Sequence, residues 1–271
     1  MKIVIFGGRG YIGGKLKNVF PGAILPDTDI ADEAGVLKVL DEVKPDCVIN
    51  AAGKTGRPNV DWCEDHKEET LRSNVTGPLI LLDACMKRNI YFVHIGSGCI
   101  YDGDASHEFT EEDTPNFSGS FYSFTKLVSD QALTRFPVLQ LRLRMPFEGE
   151  PNPRNLISKL LKYKKVLDAA NSLTYIPDFL AALKTLADRR ATGIFNVTNP
   201  GAISPYQVML QYKKEVDPSH EFERLTLADL PTVTKAGRSN CVLSSRKLEQ
   251  AGIAMKPVAV ALSEALHGFK R

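Results

Sequence analysis

The sequence predicts an α/β fold: a doubly wound parallel sheet with helices on both faces, followed by a smaller C-terminal lobe. Three observations predict it. Short β-branched runs alternate with helical stretches through the first half of the chain, the first run ends in a glycine-rich turn, and the tail lacks this alternation. The chain of 271 residues, 43% hydrophobic and 24% charged, has the composition of an ordinary globular protein.

The individual elements follow from length and spacing. Short apolar runs are assigned as strands, and longer stretches with helical spacing as helices. The predicted strands are 2–6, 23–25, 47–50, 91–95, 138–142 and 192–197. The predicted helices are 11–20, 34–43, 64–88, 119–136 and 179–189. Because helices separate successive strands, the strands are expected to run parallel.

Two parts of the chain interrupt this alternation: the Pro- and Asn-rich stretch 146–153 and most of the tail after Asn199. We therefore predict a dinucleotide-binding domain made of residues 1–145 and approximately 174–197. The remaining residues, approximately 146–173 and 198–271, are expected to form a ligand-binding lobe. This lobe would lie over the carboxyl ends of the strands, where ligands of open α/β sheets bind.

Charge and cysteine content exclude several classes of protein. The formal net charge is +2 and no long basic run occurs, so neither nucleic acid nor a membrane surface is an expected partner. The N-terminus MKIVIFGG lacks the sections of a signal peptide, which predicts a cytoplasmic protein. The cysteines have neither metal-ligand spacing nor the density of a disulfide scaffold, so we expect reduced thiols and no metal site. They are Cys47, Cys63, Cys85, Cys99 and Cys241.

A glycine-rich turn follows the first strand, with Gly7, Gly10 and Gly13 three residues apart. Glycines at a strand-to-helix turn let the backbone approach a pyrophosphate, and the helix directs its amides and positive dipole end toward it. This placement predicts a nicotinamide dinucleotide site. Arg9 is suited to the extra phosphate of NADP, whereas Asp27 is suited to the ribose hydroxyl of NAD. We favour NADPH and keep NAD as the alternative.

The third strand ends in four small residues, Asn50 to Gly53, as expected where a chain passes under a cofactor. The predicted cofactor-binding set combines these four residues with the glycine turn, two residues after the second strand, and three side chains on helices. The set is Gly7, Arg9, Gly10, Tyr11, Ile12, Gly13, Asp29, Ile30, Asn50, Ala51, Ala52, Gly53, Asn74, Tyr122 and Lys126.

Tyr122 and Lys126 are four residues apart on a predicted helix, which places both side chains on one face. A phenol has a pKa of about 10, and a neighbouring ammonium lowers it by favouring the phenolate. Ser97 lies at the end of a predicted strand, where its hydroxyl can hydrogen-bond a substrate carbonyl beside Tyr122. The three residues therefore predict reduction of a carbonyl.

Several longer motifs resemble one known family. They are TGRPNVDWCE at 55–64, GCI at 98–100, EEDTPNFSGSFYSFTK at 111–126, PRN at 153–155, NPG at 199–201 and RSN at 238–240. With the motifs above, the sequence resembles the extended short-chain dehydrogenase/reductases that modify sugar nucleotides, and in particular the plant-type nucleotide-rhamnose synthase/epimerase-reductases, which are related to dTDP-4-dehydrorhamnose reductase. The resemblance implies a Rossmann fold and a 3,5-epimerase and 4-reductase that uses NADPH to make UDP-L-rhamnose.

The second activity of that family needs a base and an acid on opposite faces of the sugar. In extended backbone Cys99 and Ser97 project to the same side, and a thiol near a cation is a competent base. The resemblance assigns the proton donor to Lys159. This sequence departs from the family in having Ser rather than Thr at position 97 and a shorter loop between Tyr101 and Glu111.

The resemblance also implies a sugar-nucleotide substrate, with UDP or dTDP left open, that a separate 4,6-dehydratase must supply. A homodimer through the long helices 64–88 and 119–136 is a further expectation. The predicted substrate-binding residues are Arg57, Asn59, Cys99, Asn116, Arg144, Asn155, Arg238 and Asn240.

Three other functions compete with this hypothesis. One resembles GDP-L-fucose synthase, which usually pairs its cysteine with a histidine, whereas no histidine lies between His107 and His220 here. A reductase without epimerase activity, similar to dTDP-4-dehydrorhamnose reductase, would not need Cys99 with Lys159. The third is a non-catalytic regulatory subunit similar to the β subunit of methionine adenosyltransferase, and the set of Ser97, Tyr122 and Lys126 argues against it.

Overall fold

The structure is a computed structural model that describes residues 1–270. Its strands are β1 (Ile3–Phe6), β2 (Cys47–Asn50), β3 (Tyr91–Ser97), β4 (Glu108–Phe109), β5 (Leu139–Leu143), β6 (Pro146–Phe147), β7 (Lys165–Leu167), β8 (Thr174–Tyr175), β9 (Gly193–Asn196), β10 (Glu223–Leu225) and β11 (Val242–Leu243). Its helices are α1 (Tyr11–Val19), α2 (Glu33–Val43), α3 (Trp62–Asp65), α4 (Lys67–Leu71), α5 (Gly77–Lys87), α6 (Phe121–Leu133), α7 (Leu156–Leu160), α8 (Ile176–Asp188), α9 (Pro205–Glu215), α10 (Arg246–Gln250) and α11 (Val258–His267).

The central sheet is parallel and has the strand order β1-β2-β3-β5-β9. Alternate residues of each strand face opposite sides, so Ile3 and Ile5 pack with α1 and α8, while Val4 and Phe6 pack with α2 and α5. Helices therefore cover both faces, and the predicted doubly wound α/β fold is confirmed. The carboxyl ends of β1, β2, β3 and β5 share one edge, which brings the residues after each strand together.

Two predicted elements differ from the structure. Residues 23–25 do not form a strand, because only Ile24 bridges to Val4 at the sheet edge. The helix predicted at 64–88 is interrupted at His66, whose φ of −126° is not helical, and the chain then passes through α4, a π-helical segment (Arg72–Thr76) and α5. No glycine or proline marks this break, so periodicity alone did not reveal it.

A second hydrophobic core lies outside the sheet and is built from β6, β7, β8, α7, α9 and α11, with Phe147, Ile157 and Leu262 fully buried in it. The tail also reaches the first core, because Leu248 and Met255 pack against the sheet. These two cores are compatible with the predicted division into two domains, which stays a prediction. Among residues 1–270, no helix is both long and apolar enough to span a bilayer.

Candidate active site

The glycine turn has the geometry that the sequence predicted. Gly7 has a φ of +81°, and a Cβ there would lie 2.4 Å from the backbone nitrogen of Ala52. A Cβ on Gly13 would lie 2.2 Å from the carbonyl oxygen of Gly7, so α1 packs directly on the turn. Gly10 is the N-cap of α1 and supplies no capping side chain, which leaves the first amides of the helix open to a phosphate. These residues fit a dinucleotide pyrophosphate.

Arg9, predicted to favour NADP, and Asp27, predicted to favour NAD, contact each other. Arg9 and Asp27 form an ion pair on the exposed surface. Asp29 accepts a hydrogen bond from the backbone nitrogen of Ala31 at 3.0 Å, and Ile30 is buried. A bound dinucleotide would therefore meet a paired guanidinium and carboxylate rather than either one alone.

Tyr11 and Ile12 begin α1, but their side chains point into the protein. Ile12 packs on the sheet core. The hydroxyl of Tyr11 is buried, and burial together with Glu148 raises its pKa. Lys15, one turn later, lies 2.8 Å from Glu148. These contacts join α1 to the chain after β6. Because both side chains point inward, Tyr11 and Ile12 could contact a cofactor only through their backbone atoms.

The small residues after β2 lie directly beside the glycine turn. Asn50 accepts a hydrogen bond from the backbone nitrogen of Ala52 at 3.0 Å, and its amide donates toward Nδ1 of His94 at 3.1 Å. Gly53 continues this segment. The side chain of Asn74 is fully occupied, because it accepts from the backbone nitrogen of Lys54 at 2.8 Å and donates to the backbone oxygen of Lys54 and to the hydroxyl of Thr125. Asn74 therefore fixes the segment after β2 to α6.

Tyr122 and Lys126 stand on α6 over the end of β3. Burial raises the pKa of Tyr122, and the groups that counter this rise most are Ser97, through a hydrogen bond, and Arg144. Lys126, which we expected in that role, is not among these main contributors. Its Nζ lies 3.5 Å from the carbonyl oxygen of Ile95, and burial lowers its pKa to about 8.

The buried ammonium of Lys126 is expected to make the free energy of unfolding depend on pH. Between pH 8 and the usual Lys pKa of 10.5, the unfolded chain holds the proton more tightly, so stability rises with pH through that window. At pH 7 the charge opposes folding. We expect Lys126→Met to raise the free energy of unfolding at pH 7 by about 2–3 kcal/mol, with the gain disappearing as pH rises from 8 to 10.5. Urea denaturation of the cofactor-free protein measures this, with the exposed Lys38→Met as control. A less stable Lys126→Met variant at pH 7 would contradict the prediction.

Cys99 lies close to Tyr122 and Lys126, but the backbone between Ser97 and Cys99 does not have the conformation expected from the sequence. β3 ends at Ser97, and the chain then turns, so that the backbone nitrogen of Cys99 donates to the hydroxyl of Ser97 at 3.2 Å. The expected extended backbone is thus wrong at this point. Cys99 is half-buried, and Nη1 of Arg144 lies 3.5 Å from its sulfur.

A cavity of about 600 Å³ is lined by Cys99 and Lys159, the residues predicted for epimerisation, and by Tyr122 of the predicted reducing set. Ser97 and Lys126 are not among its lining residues. Its other predicted substrate residues are Asn59, Arg144, Arg238 and Asn240. Arg238 is paired with Asp61 at 2.9 Å. Lys162, Tyr163, Lys164, Lys165, Leu167, Leu225, Leu230 and Val233 also line the cavity. None of these residues was predicted to line the site, although the lysines clustered between 159 and 165 are evident in the sequence.

Lys159 lies on α7 and lines the same cavity as Cys99. Burial and the charge of Arg154 lower the pKa of Lys159, which makes its ammonium a better proton donor. Arg154 itself donates to the hydroxyl of Thr55 at 2.5 Å and to the carbonyl oxygen of Gly56 at 2.8 Å. It therefore joins the segment that carries Lys159 to the loop after β2. The PRN motif contained Arg154, but only the structure gives it this position.

Three predicted substrate residues do not line the cavity. Asn155 is the N-cap of α7, accepting from the nitrogen of Ile157 and donating to the carbonyl oxygens of Glu148 and Glu150, so no polar atom remains for a substrate. Asn116 uses both side-chain atoms on the backbone of Asp102. Arg57 is exposed and lies outside the cavity lining. Burial, and after it the charge of Arg57, lower the pKa of Arg154.

The comparisons with known proteins agree with this geometry. The family described as the RmlD substrate binding domain matches residues 1–270. The bifunctional dTDP-4-dehydrorhamnose 3,5-epimerase/dTDP-4-dehydrorhamnose reductase of Arabidopsis thaliana is 41% identical over 91% of this chain and 86% of its own length. A trifunctional UDP-glucose 4,6-dehydratase/UDP-4-keto-6-deoxy-D-glucose 3,5-epimerase/UDP-4-keto-L-rhamnose-reductase of the same plant is 38% identical, and this chain spans 40% of its length.

Two solved structures have the same fold. The L780 UDP-rhamnose synthase of Acanthamoeba polyphaga mimivirus superposes with a TM-score of 0.93, at 32% identity over 99% of both chains. A dTDP-4-dehydrorhamnose reductase of Bacillus anthracis in complex with NADP gives a TM-score of 0.84, at 19% identity and 99% coverage of both chains. The predicted relationship is confirmed, and these matches show that the chain belongs to the RmlD substrate binding domain family.

Proposed function

We propose that this protein is a bifunctional 3,5-epimerase/4-reductase that converts a UDP-linked 4-keto-6-deoxy-glucose to UDP-L-rhamnose with NADPH. The predicted class of enzyme, an oxidoreductase with epimerase activity on a sugar nucleotide, is confirmed by the relatives. The observation that carries the finer proposal is the single cavity lined by Cys99, Tyr122 and Lys159. A reductase without epimerase activity would need neither the thiol nor the second ammonium.

Epimerisation comes first in the proposed sequence. The ketone at C4 acidifies the protons on C3 and C5, and the sulfur of Cys99 accepts one of them. The hydroxyls of Ser97 and Tyr122 hydrogen-bond the oxygen on which negative charge develops. Lys159 then donates a proton to the opposite face of the carbon, which inverts it. The ammonium is suited to this step because burial makes it more acidic than an exposed lysine.

Reduction uses the same ketone. A nicotinamide dinucleotide, when bound, supplies the hydride for C4. Tyr122 gives its proton to the oxygen, and Ser97 keeps that oxygen within hydrogen-bonding distance of the phenol. Lys126 would hold the ribose of the cofactor, since it lies on the same face of α6 as Tyr122. Its lowered pKa allows it to return a proton to Tyr122 near neutral pH.

The choice of NADPH and UDP rests on separate observations. Arg9 stands exposed at the glycine turn, where an added phosphate would compete with Asp27 for its guanidinium. The Bacillus anthracis protein of the same fold was solved with NADP, and the mimivirus protein is named for UDP-rhamnose. NAD and dTDP are the alternatives, and product analysis with both nucleotide sugars distinguishes the second pair.

The proposed partners follow from the chemistry. A separate 4,6-dehydratase supplies the 4-keto sugar, and neither nucleic acid nor a membrane is involved. A homodimer through α4 and α6 would cover Leu71 and Phe124, two exposed apolar side chains on those helices. We place the reaction in the cytoplasm because all five cysteines are free thiols.

The decisive experiment follows proton exchange in deuterated water. The wild-type protein is expected to incorporate deuterium at C3 and C5 of UDP-4-keto-6-deoxy-glucose and to oxidise NADPH. Cys99→Ala is expected to lower the exchange rate by a factor of about 100 or more. The same variant should still oxidise NADPH when it is given the epimerised 4-keto sugar, which controls for folding. Equal exchange in Cys99→Ala and the wild type would refute the assignment, and a regulatory subunit would oxidise no NADPH at all.

A further inference from the structure

His94 is a deeply buried titratable residue that the proposed reaction does not use. It lies on β3 with an exposed fraction of 1%, paired with Asn50 of β2 on one side and with Gln140 of β5 on the other. Burial, and after it the charge of Lys126, hold the pKa of His94 well below its usual value. The sheet therefore holds a neutral imidazole at a position where an apolar ring would fill the space without burying polar atoms.

The hydrogen bonds of Asn50 decide which nitrogen of His94 carries the proton. The backbone nitrogen of Ala52 can only donate, and it lies 3.0 Å from Oδ1 of Asn50. The amide nitrogen of Asn50, Nδ2, is then the atom that lies 3.1 Å from Nδ1 of His94. Because Nδ2 can only donate, Nδ1 accepts, and the proton of the neutral ring is on Nε2.

The orientation of Asn50 depends on this one contact. Its side chain has no exposed surface, and among residues 1–270 Nδ1 of His94 is the one acceptor for its Nδ2. A buried donor without an acceptor loses its hydration and gains nothing in return, so Asn50 keeps this orientation only while Nδ1 is available. The ring of His94 thereby keeps Oδ1 of Asn50 turned toward Ala52.

At Ala52 this orientation reaches the glycine turn. A Cβ on Gly7 would lie 2.4 Å from the backbone nitrogen of Ala52 and 2.6 Å from the carbonyl carbon of Ala51, so the turn is seated on this segment. The same nitrogen of Ala52 donates to Asn50. A shift of Ala52 would therefore move the glycine turn or open a gap beneath it, and the turn is where a pyrophosphate fits.

We infer that His94 is a positioning residue for the dinucleotide: its Nδ1 holds Asn50, Asn50 holds the backbone of Ala52, and Ala52 supports the glycine turn. The inference rests on the proposed function only in taking a nicotinamide dinucleotide as the ligand of that turn. His94 does not line the substrate cavity. Its effect is on the affinity for the dinucleotide, not on the proton transfers assigned to Cys99 and Tyr122.

Two variants of His94 separate the hydrogen bond from the packing of the ring. His94→Phe keeps a planar ring and removes the acceptor. His94→Asn removes the ring and keeps an acceptor, because its Oδ1, like Nδ1 of histidine, is bonded to Cγ. If the hydrogen bond carries the effect, the phenylalanine variant is the impaired one. If packing alone matters, the asparagine variant is the more impaired one, and the inference is overturned.

Amide hydrogen exchange of the cofactor-free protein reports on Ala52 directly. The neighbouring amide of Ala51 donates to the carbonyl oxygen of Phe6 at 3.0 Å, which makes it an internal control. We expect exchange at Ala52 to become about tenfold faster in His94→Phe, with Ala51 changed less than about twofold. In His94→Asn the ratio of the two rates should stay within about threefold of the wild type. An unchanged ratio in a folded His94→Phe protein would overturn the inference.

Calorimetric titration with NADPH measures the consequence for binding. We expect the Kd to rise about tenfold in His94→Phe and to stay within about threefold of the wild type in His94→Asn. Equal affinities of the wild type and His94→Phe would overturn the inference.

Nitrogen NMR of the wild-type ring needs no variant. It should show a protonated Nε2 and an unprotonated Nδ1, and a proton on Nδ1 would overturn the inference even if both variants fail to fold. The proposed function fails separately: if the wild type binds no NADPH while exchange at Ala52 responds to His94 as expected, the support of the turn stands and the dinucleotide assignment does not.

Discussion

Tyr122→Phe is expected to lower the rate of ketone reduction about a thousandfold, because it removes the proton donor while keeping the aromatic ring. The hydroxyl is buried beside Ser97, and no other phenol shares that position in the described part of the cavity near β3. Deuterium exchange at C3 and C5 should continue at a reduced rate in this variant, since Cys99, Lys159 and the hydroxyl of Ser97 are intact but one hydrogen bond to the enolate oxygen is lost. Oxidation of NADPH and mass spectrometry of the sugar measure the two rates in one reaction.

The control for this variant is Tyr206→Phe. Tyr206 packs against Phe222, outside the cavity lining, so its hydroxyl has no access to the substrate. We expect both of its rates to match the wild type. A Tyr122→Phe variant that reduces the ketone at the normal rate would assign the proton donor to another group, and one that loses exchange as well would show that both reactions need the phenol.

Asp130→Ala is expected to lower the free energy of unfolding by about 3–5 kcal/mol, the usual loss when one partner of a buried ion pair is removed. Asp130 lies on α6, one turn after Lys126, and accepts two hydrogen bonds from Arg142 of β5, at 2.8 and 2.6 Å. Arg142 would keep only the hydroxyl of Tyr101, at 2.8 Å. Urea denaturation measures the change.

An exposed pair provides the matched control for this loss. Asp188 also lies on a helix and pairs with Lys184, but half of each side chain is in contact with solvent. Asp188→Ala should cost less than about 1 kcal/mol. The double variant Asp130→Leu with Arg142→Met should recover most of the stability, because no charge is then left buried alone. Equal losses for Asp130→Ala and Asp188→Ala would contradict the prediction.

The parts of the fold that the sequence predicted well are those with a local pattern. β1, β2 and β3 are short apolar runs, and each is fully buried in the sheet, so their composition identified them. The interruption at His66 depends on a contact that no pattern contains: its ring stacks on Trp62 and its Nδ1 meets the carbonyl oxygen of that residue at 2.8 Å.

The same distinction applies to the site. The positions of Gly7 and Gly13 could be predicted from their spacing within one turn. Those of Tyr122 and Lys126 could be predicted from their spacing within one helix. Asn155 could not be placed, because a side-chain amide that caps a helix has the same chemistry as one that binds a ligand. The contacts of Arg144 could not be predicted either, because they involve Asn171 and Ser239, which are distant along the chain.

The bonds from Arg154 to Thr55 and Gly56 limit how this enzyme can be redesigned. The loop that follows β2 and the turn that leads into α7 are held together, since the guanidinium of Arg154 is bonded to both. Exchanging either segment alone for that of a relative would leave the half-buried guanidinium of Arg154 without its hydrogen-bond acceptors and would shift Lys159. Chimeras should therefore transfer both segments as a matched pair.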